Sequence, residues 1–358
     1  LEGYKNRWYQ REEMNGINVV RVKTYIAANE GFARRILDYA SFMIAAFCAG
    51  LFQKKPDVVV ATSPQFFTAI GGFALSAVRR IPFVFELRDM WPASITAVGA
   101  MRKSLIIQLL EKIEMFLYQK ADQIIVVTKS FKSELIERGI DPQKIHVVLN
   151  GVDLERFKPV ESKNVDLVKK FNLQDTFVAG YIGTHGMAHG LDFVVDAAEY
   201  LKERIDIKIL LVGGGAAREN LECYVKSKNL KNVVLIPRQP KEAISQIWCL
   251  CDVSLVNLRN VPLFKKVIPS KIFEAMGMGI PIIVSMPEGE ATEIIERAEA
   301  GIVVEPESPM ELAAAILKLA DNKKLQLQLA ENAANSAFLY SRDKLADDMA
   351  SILEKVVT

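Results

Sequence analysis

Lys271 and Glu274 stand three residues apart directly after Pro269-Ser270, a pair that reads as a helix entry, with 277–281 as the exit and 280–284 as a buried strand. Both charges therefore fall in the first turn of a short helix, where free backbone N–H groups draw anions. A lysine for phosphate oxygens beside a carboxylate for hydroxyls suits a phosphate with a hydroxylated sugar next to it. Ser270 belongs to the same helix start. The plainer alternative is a first-turn glutamate on a core helix, which most α/β proteins contain.

A second concentration of charge, Glu86-Leu87-Arg88-Asp89-Met90-Trp91-Pro92, follows the apolar stretch 83–85. Charges this dense belong at a strand end facing a cleft or in an ion-pair network. Asp89 is the candidate to orient or deprotonate a hydroxyl. An Arg88 pair with Glu86 or Asp89 that fixes the loop is the alternative, and both can hold together.

Two glycine-rich stretches follow strand signals: Gly183-Thr184-His185-Gly186-Met187-Ala188-His189-Gly190 and Gly213-Gly214-Gly215. Such turns let backbone N–H groups approach a phosphate, although neither is G-x-G-x-x-G and a tight turn explains them equally. A diphosphate needs cations. The candidates are a protonated His189, favoured over His185 by position alone, then Lys271, and Arg238, Arg259, Lys265 and Lys266 in later loops. Helix-entry histidines and a surface Arg238 are the structural alternatives.

Strand runs at 18–22, 57–62, 82–87, 123–128 and 145–149, mostly separated by helical patterns, indicate a parallel sheet in the first half. A second set at 176–182, 207–212, 232–236, 252–257, 280–284 and 302–304, with helices at 191–202, 216–228, 241–250 and 309–319, indicates another doubly wound α/β unit. Ligands of such sheets lie beyond the strand C-termini, where Thr62-Ser63-Pro64, Asp89, Thr128-Lys129-Ser130 and the glycine loops stand. The Asn150-Gly151 turn and the polar stretch 158–163 place the hinge between the halves.

At 358 residues, 50% hydrophobic and 25% charged, the chain fits two ordinary globular domains, and its net charge of +2 gives no argument for nucleic acid. Cys48, Cys223, Cys249 and Cys251 form no C-x-x-C pair and no cluster with the three histidines, so neither zinc nor disulfides are expected and a reducing cytoplasmic location fits. No metal site is visible. The chain opens at Leu1 with no secretory leader pattern. The apolar stretch 36–52, interrupted by Asp38 and flanked by Arg34, Arg35, Lys54 and Lys55, is short for a bilayer span. It reads as a core helix or as one lying on an anionic membrane surface.

Four stretches carry a family resemblance in a consistent order. The run Pro269-Ser270-Lys271-Ile272-Phe273-Glu274-Ala275-Met276-Gly277-Met278-Gly279-Ile280-Pro281-Ile282 resembles the donor-site segment, P-S-K-x-x-E-x-M-x-x-G-x-P-I, of family 4 of the retaining glycosyltransferases. The E-x-R-D-x-W-P run is similar to a signature of its surface-polysaccharide enzymes. Asn150-Gly151-Val152-Asp153 through Phe157 and Pro159 resembles the family's interdomain crossing, and Pro237-Arg238-Gln239-Pro240 the segment whose main chain contacts the nucleotide base.

The resemblance implies a GT-B architecture: two doubly wound Rossmann-like domains facing a cleft, here an acceptor-side domain over 1–157, a donor domain over 158–335, and a C-terminal helix, 336–358, packing back towards the first domain. It implies that Glu274 holds the ribose of a UDP-sugar and that Lys271 stabilises the departing diphosphate; together with the glycine loops and cations read above, the candidate donor lining is Gly183, His189, Gly213, Gly214, Arg238, Arg259, Lys266 and Ser270. The substrate would be the nucleotide sugar itself, with no further cofactor or metal. The acceptor would be a glycan or lipid-linked glycan at the inner face of the membrane.

This chain departs from the family pattern in three places. Thr184 and His189 stand where the first glycine loop commonly carries Arg and Lys; Lys266 replaces the first acid of E-x7-E; and an opening strand–loop–helix is missing ahead of 1–5, as in a fragment. A non-catalytic sugar-nucleotide-binding protein and a GT-B epimerase are the competing expectations.

Overall fold

A computed structural model describes residues 5–26, 32–63, 65–90, 105–160 and 162–357, without the side chains of 32, 33 and 35. Pro64, Trp91, Pro92 and the first four residues, all named above, lie outside these ranges, as does the Arg35 side chain. The chain divides into two compact units. One takes the chain up to Val148 with the final stretch from Asp348, and the other is Leu149–Asp347.

In the first unit a parallel sheet has the order β3 (Val59–Thr62), β4 (Phe83–Leu87), β5 (Gln123–Val126), β6 (Ile145–Val147). Its core is aromatic: Phe83 meets Phe85 edge-on at 6.2 Å, and Phe85 meets Tyr118 at 5.1 Å. Such tilted pairs add to the area that the rings bury. Glu114, buried among these side chains, accepts from the Tyr118 hydroxyl at 2.7 Å and pairs with Arg138.

The stretch expected as the first parallel strand is instead half of an antiparallel hairpin, β1 (Tyr9–Met14) with β2 (Ile17–Val22), Met14 facing Ile17. Asn15 and Gly16 both have positive φ, 50° and 79°, the geometry that closes a two-residue hairpin. The apolar stretch near 36–52 is a helix, Phe32–Leu51, with none of its described side chains fully buried. The Arg79 guanidinium caps its end, donating to the Gly50 and Gln53 carbonyls at 2.9 and 2.8 Å. No helix among the described residues is long and apolar enough to cross a membrane.

The second unit holds a six-stranded parallel sheet: β7 (Phe177–Ile182), β8 (Ile207–Val212), β9 (Val233–Ile236), β10 (Val253–Asn257), β11 (Ile282–Ser285) and β12 (Gly301–Val304). Their spatial order, β12-β11-β10-β7-β8-β9, runs outward from β7 in one direction and then from β10 in the other. Beyond the C-terminal ends of β7 and β10, where the direction reverses, the crossover loops diverge and leave room for a ligand. The strands are nearly continuous apolar runs because both faces are covered: Val178 and Ile182 enter one core cluster, Ala179 and Tyr181 the other.

Candidate functional site

The two glycine loops are stitched together at the switch point. Gly183 N–H donates to the Val212 carbonyl and His185 N–H to that of Gly214, each at 2.9 Å, while Ala217 N–H returns to His185. The chains approach so closely that a Cβ on Gly213 would lie 1.8 Å from the Gly183 carbonyl oxygen, at a φ of +150°. Only glycine fits there. Arg218 locks the second loop from below, donating to the carbonyls of Gly213 and Ile236 at 3.1 and 2.9 Å. On the other side Arg259 N–H donates to Ala188, so the loop after β10 closes onto the loop after β7.

Lys271 opens the seven-residue helix Lys271–Gly277 and turns its side chain into this enclosure. It is 8% exposed. Its Nζ lies 3.3 Å from the centroid of the Tyr181 ring and 2.9 Å from where a Cβ on Gly183 would stand. Among the described residues no acceptor reaches it. Burial pulls its pKa down to about 7, with Glu274 opposing. An ammonium withdrawn from water without an acceptor is costly, and the ring face offsets only part of that cost, on the order of 2 kcal/mol.

The Lys271 nitrogen is one of several unsatisfied atoms. Both ring nitrogens of His185, Nδ1 of His189 and Oδ1 of Asn257 are also buried without a well-aligned hydrogen bond, His185 having only a weak interaction with the Val212 backbone and His189 one with that of Asn257; among the described residues only Asn232 and Ser254 hold other such atoms. The Tyr181 ring lies 6.0 Å from His185 and 5.8 Å from His189, and its hydroxyl donates to Thr184 O at 2.8 Å. Ser254 pairs with Gly180 in parallel register, so the end of β10 that carries Asn257 runs alongside the end of β7. Buried polar groups are nearly always paired, so this concentration at a strand-end switch point marks a place where a polar ligand supplies the partners.

Each cation has a different fate. His189 is held neutral: burial first, then Lys271, lowers its pKa to about 4, and His185 is lowered to about 4 by burial and by Arg218. Without an anion beside it, His189 therefore supplies no charge, and the conditional candidacy of its protonated form falls to the other cations. Arg259 is engaged by Asp192 at 2.8 and 3.0 Å and by Glu307 at 3.4 Å, and its Nε donates to Met187 O, so carboxylates already balance its charge. Arg238 is exposed, its Cβ 3.7 Å from the Cβ position of Gly214, itself half-buried. Lys266 is half-buried at the end of the 3-10 turn Pro262–Lys266.

The helix start needs one correction. The N–H groups of Ile272, Phe273 and Glu274 donate to Pro269, Ser270 and Ser270 carbonyls, and the exposed Ser270 makes no side-chain cap. A tight first turn thus uses donors expected to be free, and the cation rather than the helix end carries the charge.

Glu274, half-buried one turn on, accepts from the indole Nε1 of Trp248 at 3.2 Å. Burial raises its pKa, against the lowering effect of Trp248, Lys271, Arg342 and Arg156. Tyr181, Trp248, Asn257 and Arg218 have no motif of their own. The only signal for Tyr181, Trp248 and Asn257 is a polar or amphipathic side chain near the end of an apolar strand or helix, and Arg218 merely opens a polar helix.

Asp89 belongs to the first unit, just past the C-terminal end of β4. The buried Ser63 hydroxyl accepts from the N–H groups of Arg88 and Asp89 at 3.0 and 3.3 Å, which ties that loop to the end of β3. Arg88 pairs with Glu86 at 3.4 Å, the loop-fixing alternative. Among the described residues no group of three or more His, Cys, Asp or Glu is placed to hold a metal.

Residues 4–156 match the family model Glycosyltransferase Family 4 and residues 164–336 match Glycosyl transferases group 1. The chain belongs to the family 4 glycosyltransferases. A putative colanic acid biosynthesis glycosyl transferase of Escherichia coli K12 is 25% identical over 327 residues, covering 88% of this chain and 79% of that protein. The N,N'-diacetylbacillosaminyl-diphospho-undecaprenol alpha-1,3-N-acetylgalactosaminyltransferase of Campylobacter jejuni is 27% identical over 67% of this chain and 62% of its own length. Among solved structures, Anabaena HepE in complex with UDP superposes with a TM-score of 0.72 at 18% identity, over 90% of this chain and 84% of that one. Sucrose-phosphate synthase from Thermosynechococcus elongatus gives 0.80 at 18% identity, over 99% and 86%. The fold is GT-B, with two Rossmann-like domains.

Proposed function

We propose that this chain transfers a sugar from a UDP-sugar to a lipid-linked glycan, with retention at the anomeric carbon, during assembly of a cell-surface polysaccharide. The observation that carries the reading is the buried Lys271 ammonium, with no acceptor among the described residues, beside His185, Nδ1 of His189 and Oδ1 of Asn257, which also lack well-aligned hydrogen bonds, at the switch point. A diphosphate supplies acceptors for the ammonium, and Glu274 one helical turn away accepts from ribose hydroxyls. In the transfer the bond from anomeric carbon to diphosphate oxygen breaks, and the acceptor oxygen bonds to that carbon on the same face. The hydroxyl proton leaves with the departing diphosphate. Lys271, and Arg238 with Lys266 at the loops, would balance the growing negative charge. The relatives bear on the substrates through their names: one acts on a diphospho-undecaprenol-linked sugar and one structure holds UDP.

The membrane side of the proposal rests on the helix Phe32–Leu51. Leu37, Ile44, Leu51 and Phe52 are exposed, Phe52 by 87%, and Lys54 and Lys55 follow in the open. An apolar strip with cations beside it fits an anionic lipid surface. The test is UDP titration followed by a screen of UDP-sugars with a lipid-linked acceptor and anionic liposomes. Transfer and pelleting support the proposal; UDP binding without turnover on any pair marks a sugar-nucleotide-binding protein instead.

A further inference from the structure

Trp248 is the largest fully buried side chain in the described structure, 0% exposed, at the C-terminal end of the short helix Ile244–Trp248. Its one polar atom, the indole N–H, donates to Oε2 of Glu274 at 3.2 Å, across 26 positions of sequence. An indole can donate only one hydrogen bond and accept none, so this contact uses all the polar capacity of the ring. The ring body belongs to the apolar cluster that also contains Phe273 and Met276, the neighbours of Glu274 in sequence and on its helix. The donor is therefore fixed by packing on every side.

We propose that Trp248 is a positioning residue of the nucleotide site: its indole N–H pins one oxygen of Glu274 in a single rotamer, so that the other faces the vicinal hydroxyls of a ribose. The proposal deepens the donor-site reading and rests on it. A glutamate on a seven-residue helix has three side-chain torsions to fix before it can read two hydroxyls at once. Pinning it in the free protein removes that ordering cost from binding. The same bond favours the carboxylate over the acid, working against the burial that raises the Glu274 pKa.

The experiment titrates UDP and 2′,3′-dideoxy-UDP into the full chain, into W248F, and into a chain with Trp248 replaced by benzothienylalanine, which keeps the ring shape and removes only the N–H. E274A is the reference for complete loss of ribose reading. The wild type is expected to prefer UDP over the dideoxy compound by at least tenfold. In both Trp248 variants UDP affinity falls about tenfold, dideoxy-UDP affinity stays, and the acid limb of UDP binding moves to higher pH. Equal losses for both nucleotides in the benzothienylalanine chain, or an undiminished preference for UDP in it, overturn the positioning role. A wild type that binds both nucleotides equally overturns the ribose reading itself, and the proposal with it.

Discussion

The ammonium of Lys271 rests on the face of Tyr181, 3.3 Å from the ring centroid, with no oxygen to receive its hydrogens. A cation so placed is poised for an anion. Burial has lowered its pKa to about 7, and a bound diphosphate restores the charge, so binding above neutral pH takes up a proton. UDP affinity should hold near pH 7 and weaken by up to tenfold per unit from pH 7.5 to 9, a slope that calorimetry reads directly. The K271M chain should bind weakly and without that slope.

The same group affects folding with a definite sign. Because its pKa in the folded chain is below that of an unfolded lysine, the unfolded state binds the extra proton between about pH 7 and 10.5. Lys271 therefore costs stability at neutral pH, and that cost is relieved as pH rises through the window. Urea titrations of wild type and K271M should show the variant more stable at pH 7, with the difference shrinking towards pH 10.

His185 and His189 act at the other end of the scale. Both have pKa values lowered to about 4 from 6.5, so they fold neutral and contribute stability that is complete above about pH 6.5. That contribution is lost as pH falls from 6.5 towards 4. Thermal melts should show a steeper decline across this window in the wild type than in H185F, which keeps a buried ring and has nothing to protonate.

Gly213 packs its α-carbon against the Gly183 carbonyl, with 1.8 Å left for any Cβ. The obstacle is backbone, not a side chain that can swing away. G213A should cost roughly 2–4 kcal/mol in urea unfolding and remove UDP binding. By contrast, a Cβ at Gly183 meets the flexible tip of Lys271, so G183A should cost less in stability and show its effect in affinity.

The second unit was the more legible half. Strand β8 falls at 207–212 in both sequence and structure because a strand covered on both faces is an unbroken apolar run. The hairpin over 9–22 has a strong turn signal in Asn15-Gly16, but the apolar run at 18–22 by itself fits either sheet type and so suggests a parallel strand. The helix Glu290–Arg297 is hard to read because few of its residues are apolar; its start is instead fixed by the turn at Gly289 and Thr292.

In the site, Lys271 and Glu274 were readable only as charges after a helix entry, sharpened by resemblance. Tyr181 and Trp248 were not readable, because their roles come from contacts 90 and 26 positions away along the chain. The charge on His189 is not legible in sequence for the same reason: burial decides it, and burial is a property of the fold.

Calorimetric titration of UDP into the wild type, K271M and E274A at pH 7 decides whether the nucleotide sits at Lys271 and Glu274. The expected result is a single site per chain, weakened at least tenfold by either substitution while both variants melt as cooperatively as the wild type. UDP bound equally by all three chains would contradict this, because the nucleotide would then lie away from both Lys271 and Glu274.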